Sequence, residues 1–433
     1  MALKSFYETG YGLSGNPFPG GATYAEDAHA VYVPETFGDQ REEFLRKFVL
    51  APLEDGQPLL GAVWSVVPGD PSARGFGKST LMGEEAKRIN RDFGRSTLIE
   101  LGVDPEDAAD SPILAAYVSF NTKALGGIAN MDAAAFQLLR FMLRGSGDEG
   151  ASTHQRVRER AAAALVADGS ATPGHEQEAI VEAVRARFRQ LAVSVDIRNL
   201  LEEYLYHLAS SDSDALNRFL SDDVGTWHHD RNGLKYLQIF VMLADIAGIQ
   251  HLTFFIDQVE DFTSIAGPAK IRKNVKIIRD ALLETEPFAT RASFVLQLHP
   301  EAWFILQNAW ILEDLRSLAL DNPLNAPVVV VLKGIETFEA ARVLADRFLN
   351  HPGYALVGRS AGIAPFDEPA LRSVWELSRG NPRKYLTCLH QLLSVGKGER
   401  APVLDAAFVA RHTAGLVDED DGVRAGSRDT RQD

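Results

Sequence analysis

The sequence predicts an α/β fold: a parallel sheet flanked by helices, interrupted by a helical insertion and followed by a C-terminal helical lid. Three observations lead there. Apolar runs of strand length at 59–67, 113–121, 252–257, 292–300 and 328–332 alternate with longer amphipathic stretches, as crossover-connected parallel strands require. A glycine-rich turn, Arg74-Gly75-Phe76-Gly77-Lys78-Ser79-Thr80, joins the first of these runs to a helical stretch. Between about 148 and 232 the chain becomes Ala-rich and charged, with turn clusters separating three helical segments.

The first fifty residues hold Asn16-Pro17-Phe18-Pro19, Tyr32-Val33-Pro34 and the amphipathic run 40–50, which read as an extended arm leading into a helix. Pro17, Phe18 and Tyr32 are candidates to line a base pocket, and covering the core accounts for them equally well. The turn at 74–80 has the parts of a phosphate cradle. Gly75 and Gly77 lack the Cβ that would block inward-facing N–H groups, a helix begins behind them, and Lys78 supplies a cation. Ser79 is the candidate metal-ligating hydroxyl and Thr80 the weaker one. Ser72 stands where the Gly-x-x-x-x-Gly-Lys-Ser/Thr pattern has its first glycine, so the loop departs from that pattern at its start.

A second strand at 113–121 and a helix from about 131 to 143 follow. The insertion carries helices at 155–166, 177–191 and 197–209. Its arginines, Arg156, Arg158, Arg160, Arg185, Arg187 and Arg189, are interleaved with acids and are read as a solvated or partner-facing surface. After a helix from Leu234 to Ile246, the strand Leu252-Thr253-Phe254-Phe255-Ile256 ends in Asp257. An acid at the carboxyl end of a parallel strand is placed to hold a nucleotide-bound metal, so Asp257 is the second metal candidate. Gln258 follows it where a glutamate would orient the attacking water. Glu260 is therefore the candidate base and Gln258 a residue that positions water. Gln297 and His299, at the end of the next strand, are candidates to sense a γ-phosphate, and Arg316 is a weak candidate for an arginine finger.

In the last structured region Asp367 is an N-cap with Pro369 in the first turn, Gly380 a helix stop, and Asn381 the cap of the next helix with Pro382 at its first position. Arg383 is thereby fixed at a helix start, from which a guanidinium reaches phosphates. The expected organisation is an N-terminal arm and helix (1–58), a core (59–325) with the insertion, a lid (326–416) and a disordered acidic tail (417–433).

Composition limits the function. The 433 residues carry a formal charge of −15, against a protein that coats nucleic acid by bulk electrostatics. No apolar run reaches membrane-spanning length and the start lacks a signal-peptide core, so a cytoplasmic protein is expected. The one cysteine, Cys388, excludes an intramolecular disulfide and a cysteine-based zinc site. Neither a helical His pair nor a Gly-x-Ser-x-Gly elbow is present.

With the loop, the strand ending in Asp257, the polar strand end at Gln297 and Gly380-Asn381-Pro382-Arg383 in this order, the chain resembles AAA+ P-loop ATPases. Asp257-Gln258-Val259-Glu260-Asp261-Phe262 is similar to the Walker B segment of bacterial STAND-type ATPases. Gly380-Asn381-Pro382-Arg383 is similar to the sensor 2 motif of the initiator and transposition-targeting branch. Asn16-Pro17-Phe18 resembles the entry of transposition-type relatives, and the insertion that of phage-defence ATPases. The resemblance covers roughly residues 11 to 395. It implies ATP and Mg²⁺ as ligands, bound between core and lid, and Arg383 coupling the lid to the γ-phosphate. It also implies a separate protein effector in a bacterial DNA-transaction or defence system. Contact with DNA and homo-oligomerisation are compatible with the sequence and not specified by it. The expected function is a slow or partner-stimulated ATPase acting as a nucleotide-driven switch or assembly factor. The alternatives are a scaffold that binds nucleotide without hydrolysis and an ATP-dependent DNA-binding oligomer that uses the insertion's arginines.

Overall fold

The computed structural model describes residues 5–21, 31–55, 60–65, 74–119, 131–143, 151–188, 195–221, 223–258, 267–280, 288–298, 300–313 and 328–413. They form two compact units. One draws on residues 40–73 and 78–331, the other on 1–39, 74–77 and 332–433. Among the described residues no helix is long and apolar enough to cross a membrane.

The first unit is built on a five-stranded, all-parallel sheet of β1 (Leu60–Ser65), β2 (Ile113–Ser119), β3 (His251–Asp257), β4 (Ala292–Gln297) and β5 (Val329–Leu332), in the order β2-β3-β4-β1-β5. Parallel strands covered on both faces must be apolar throughout, and β1, β3 and β4 are buried at every position. Register is continuous across the middle of the sheet. Leu60 faces Phe294 on β4, Phe254 of β3 also faces Phe294, and Ser119 of β2 faces Asp257.

The strand order fixes where a site can form. The chain leaves β1 toward β2 on one side and leaves β4 toward β5 on the other. Right-handed crossovers therefore carry the two connections over opposite faces. A crevice opens beyond the carboxyl ends of adjacent strands whose connections diverge in this way, here β1 and β4.

The inserted helices have no separate core. Val157, Ala161, Leu165, Ile180, Val184 and Leu205 belong to the same hydrophobic cluster as Leu114, Phe254 and Leu296 of the sheet. A helix not anticipated by the sequence spans Ser213–Ser221. The helix expected from Leu234 begins at Asp223 and runs to Ile246, through the boundary placed at 232. Gly233 looks like a helix breaker in sequence, yet a Cβ there would lie 1.9 Å from the carbonyl oxygen of Asp132. The glycine permits helix Asp223–Ile246 to pack closely on helix Met131–Leu143.

The insertion's arginines differ most from their expected role. Arg156 donates to the carbonyls of Asn90 and Arg91 (2.6 Å to Arg91), at the end of helix Lys78–Arg91. Arg158 donates to Ala209 O (2.9 Å) at the end of helix Val195–Ala209, and Arg160 to Ala247 O (2.7 Å) just past Ile246. Arg185 pairs with Glu202 and Arg187 with Asp245; Arg189 lies outside the described residues. The last carbonyls of a helix have no partner within it and carry its negative dipole end, so cations are drawn there. From helix Thr153–Ala167, three arginines close the ends of three other helices, while Arg160 remains exposed and Arg156 and Arg158 half-buried.

The second unit is helical. Asp367 accepts from Ala370 N–H and Asn381 from Lys384 N–H, each with proline in the first turn, so both expected caps are present. The helix stop is shared: Arg379 (φ 51°) and Gly380 (φ 72°) are both left-handed. The core gathers Leu344, Phe348, Phe366, Leu371, Tyr385 and Leu389. Residues 5–21 of the N-terminal arm join this unit. Tyr11 Oη donates to Ala401 O (2.9 Å) and Asn16 Nδ2 to His390 O (2.9 Å).

Candidate functional site

In the sheet unit, polar side chains collect at the carboxyl ends of β1, β3 and β4. Helix Lys78–Arg91 starts here, so Lys78, Ser79 and Thr80 occupy its first turn, where unpaired N–H groups and the positive end of the dipole lie. Lys78 is only 5% exposed, and its Nζ donates to Ser65 Oγ, the last residue of β1, at 2.5 Å. Ser79 Oγ donates to Gln297 Oε1 at the end of β4 (3.3 Å) and lies near enough to Asp257 to lower its carboxyl against desolvation. Thr80 is half-buried beside them.

Asp257 ends β3 and is fully buried. Tyr117 Oη donates to its Oδ2 at 2.6 Å, and the Gln258 backbone N–H to its Oδ1 at 2.7 Å. Desolvation is the dominant effect and raises the carboxyl above the ordinary aspartate range. The Ser79 and Tyr117 hydroxyls, the Gln258 N–H and the Lys78 charge pull the other way without overcoming it. A carboxyl raised by desolvation in this way is one whose ionised form an added cation would favour. Among the described residues no three His, Cys, Asp or Glu side chains cluster as a metal cage. One carboxylate and one hydroxyl suit Mg²⁺, which keeps most of its water or takes phosphate oxygens, better than zinc or calcium.

Gln258 has φ 56°, the left-handed region that non-glycine residues enter at a cost. Its Oε1 accepts from Ser119 Oγ at 3.0 Å, which turns the amide NH₂ away from β2. Glu260, His299 and Arg316 lie outside the described residues, as does Ser72.

The remaining loop residues belong to the helical unit. Gly75 (φ 86°) and Gly77 (φ 80°) both have left-handed backbones. A Cβ on Gly75 would come within 2.7 Å of Arg383 Cβ, and one on Gly77 within 2.9 Å of the Phe37 ring. The start of helix Pro382–Glu399 holds the loop. Asn381 Nδ2 donates to Arg74 O (2.9 Å) and Arg383 N–H to Gly75 O (3.2 Å). The Arg383 N–H is thus already engaged, and the residue is exposed. Phe76 is buried rather than presented; a Cβ on Gly334 would lie 3.1 Å from its ring. Arg74 is exposed.

Two of the base-pocket candidates are core residues instead. Phe18 is 2% exposed, its ring 5.9 Å from Phe348 and 6.2 Å from Phe366, and Pro17 is buried beside it. A ring packed on aromatic neighbours has no open face for a base. Tyr32 is half-buried with its ring 6.0 Å from Phe37.

Sequence reasoning missed Ser65, Tyr117 and Ser119. The signal was there for the last two: two residues apart on one strand, they face the same side, and both carry hydroxyls in an otherwise apolar run. What the sequence lacked was the pairing of β2 with β3. Comparison with protein-family models, with curated proteins and with solved structures finds no match.

Proposed function

We propose that this chain binds ATP with Mg²⁺ and hydrolyses it slowly, as a nucleotide-driven switch or assembly factor for a protein partner. One observation carries the reading. Lys78 and Asp257, both buried, converge with Ser79 at the start of a helix, at the end of a parallel sheet where adjacent crossovers diverge. In this reading Arg74–Thr80 is a phosphate loop. Its left-handed glycines admit close backbone approach, Lys78 binds the outer phosphate oxygens, and Ser79 and Asp257 would hold the metal. When bound, Mg²⁺ supplies charge neutralisation on the phosphate oxygens. Gln297 stands beside Ser79 as the γ-phosphate contact, and Gln258 offers amide donors to the attacking water or the leaving phosphate. Glu260 is retained as the base. The helical unit is read as a lid, with Arg383 as its phosphate-sensing cation and Tyr32 as its base-stacking ring. A partner in a bacterial DNA-transaction or defence system rests on the family resemblance alone.

The test is equilibrium binding of ATP and ADP, with steady-state phosphate release, for the wild-type protein and Lys78→Ala. Nucleotide binding lost in the variant supports the reading. Absence of binding by the wild-type protein refutes it.

A second reading, a scaffold that binds without hydrolysis, is favoured by Gln258, an amide where a carboxylate would take the water's proton. Binding without turnover in the same experiment, unchanged by Glu260→Gln, would select it. The DNA-binding reading uses the insertion's arginines, of which Arg156, Arg158 and Arg160 each also hold a helix-end carbonyl.

A further inference from the structure

We propose that Tyr117 is a positioning residue for the metal site, aiming the Asp257 carboxylate through its hydroxyl; this role rests on the Mg²⁺·ATP reading above. Ser119 is the register partner of Asp257, so Tyr117 sits two residues back along β2, and its ring reaches along the strand to bring Oη to Oδ2. The opposite oxygen, Oδ1, takes the Gln258 N–H. These two donors, one to each oxygen, fix the plane of the carboxylate, with the Ser79 hydroxyl close by. A buried carboxylate held at one oxygen only is free to rotate about its χ2 torsion, which is broad for aspartate. Preset orientation is what a reluctantly dehydrating ion with strict octahedral geometry needs from its single protein carboxylate.

The ring is held separately from the hydroxyl. Tyr117 is 5% exposed and meets Phe141 edge-on with centroids 6.5 Å apart. Tyr117→Phe therefore removes the donor and keeps the packing. Partners of metal ligands typically change metal affinity about 10- to 100-fold when lost.

The experiment uses the full-length protein and a fluorescent ATP analogue, first in EDTA and then titrated with Mg²⁺. Tyr117→Phe is expected to need about 10- to 100-fold more Mg²⁺ to reach the half-point, with unchanged affinity in EDTA and an unchanged far-UV spectrum. A wild-type Mg²⁺ midpoint in the variant overturns the role, as does an equal loss of affinity with and without Mg²⁺, which would mark a merely structural residue. Failure of the wild-type protein to bind the analogue is a different outcome and removes the nucleotide reading itself.

Discussion

Asp257→Asn separates stability from function at this site. The side chain is fully buried and desolvation raises its carboxyl above the ordinary aspartate range, so burial works against the ionised form in the nucleotide-free protein. Asparagine keeps the shape and an oxygen to accept from Tyr117 or Gln258 N–H, and removes the charge. Relieving a buried, undercompensated charge is worth on the order of 1–2 kcal/mol. At about 2–4 °C per kcal/mol for a domain of 150–250 residues, the apo variant should melt roughly 2–8 °C higher. The sign follows from linkage. A raised carboxyl binds its proton more tightly folded than unfolded, so the penalty is complete above the raised pKa, and the wild-type deficit against the variant closes as pH falls through the raised pKa toward the ordinary aspartate value. Ligand reverses the ranking. Mg²⁺·ATP at about 100 times Kd stabilises by about 2.7 kcal/mol, and the variant should lose the Mg²⁺-dependent part of that gain. Differential scanning fluorimetry with EDTA, Mg²⁺, and Mg²⁺ plus ATP reads all three. An apo variant that melts lower than wild type would show that the bonds from Tyr117, Ser79 and Gln258 outweigh desolvation. An undiminished Mg²⁺·ATP shift would remove Asp257 from the metal site.

Arg158→Ala should destabilise the protein by about 1 kcal/mol in chemical denaturation by uncapping Ala209 O, while leaving any retention on DNA unchanged; loss of retention with stability intact would give this arginine a partner-facing role instead. His154, buried with Nε2 on Leu208 O at 2.7 Å, is held at about 4, with desolvation as the main cause. The unfolded chain takes up that proton first, so roughly 3 kcal/mol of stability should be lost between about pH 6.5 and 4. Chemical denaturation across that range should show the slope flattened in His154→Gln, and an unchanged slope would count against it. Gly77→Ala forces a left-handed alanine against Phe37 and should cost about 1–2 kcal/mol together with nucleotide binding; full binding in the alanine protein would mean that the loop does not cradle phosphate.

The sequence by itself determined the parts that depend on neighbours along the chain. The strands ending in Ser65, Asp257 and Gln297 announce themselves as apolar runs, because a parallel strand covered on both faces must be apolar. The caps at Asp367 and Asn381 are legible because a cap bonds N–H groups only three residues away. Gly75 and Gly77 are legible because only glycine takes positive φ without cost.

Tertiary structure decided whatever depends on partners far apart in sequence. Tyr117 reaches an acid 140 residues away, and its hydroxyl in an apolar run, though visible locally, names no partner until β2 pairs with β3. Arg156, Arg158 and Arg160 read as a solvated charge pattern until three distant helix ends arrive beside them. Phe18 is equally suited to a base or a core, and only the approach of Phe348 and Phe366 settles which. Gly233 looks like a break until the carbonyl of Asp132 occupies the space of its missing Cβ. Propensity, capping and burial pattern act over a few residues and are written in the sequence. Pairing, close approach and the desolvation of a single carboxylate exist only once the chain has folded back on itself.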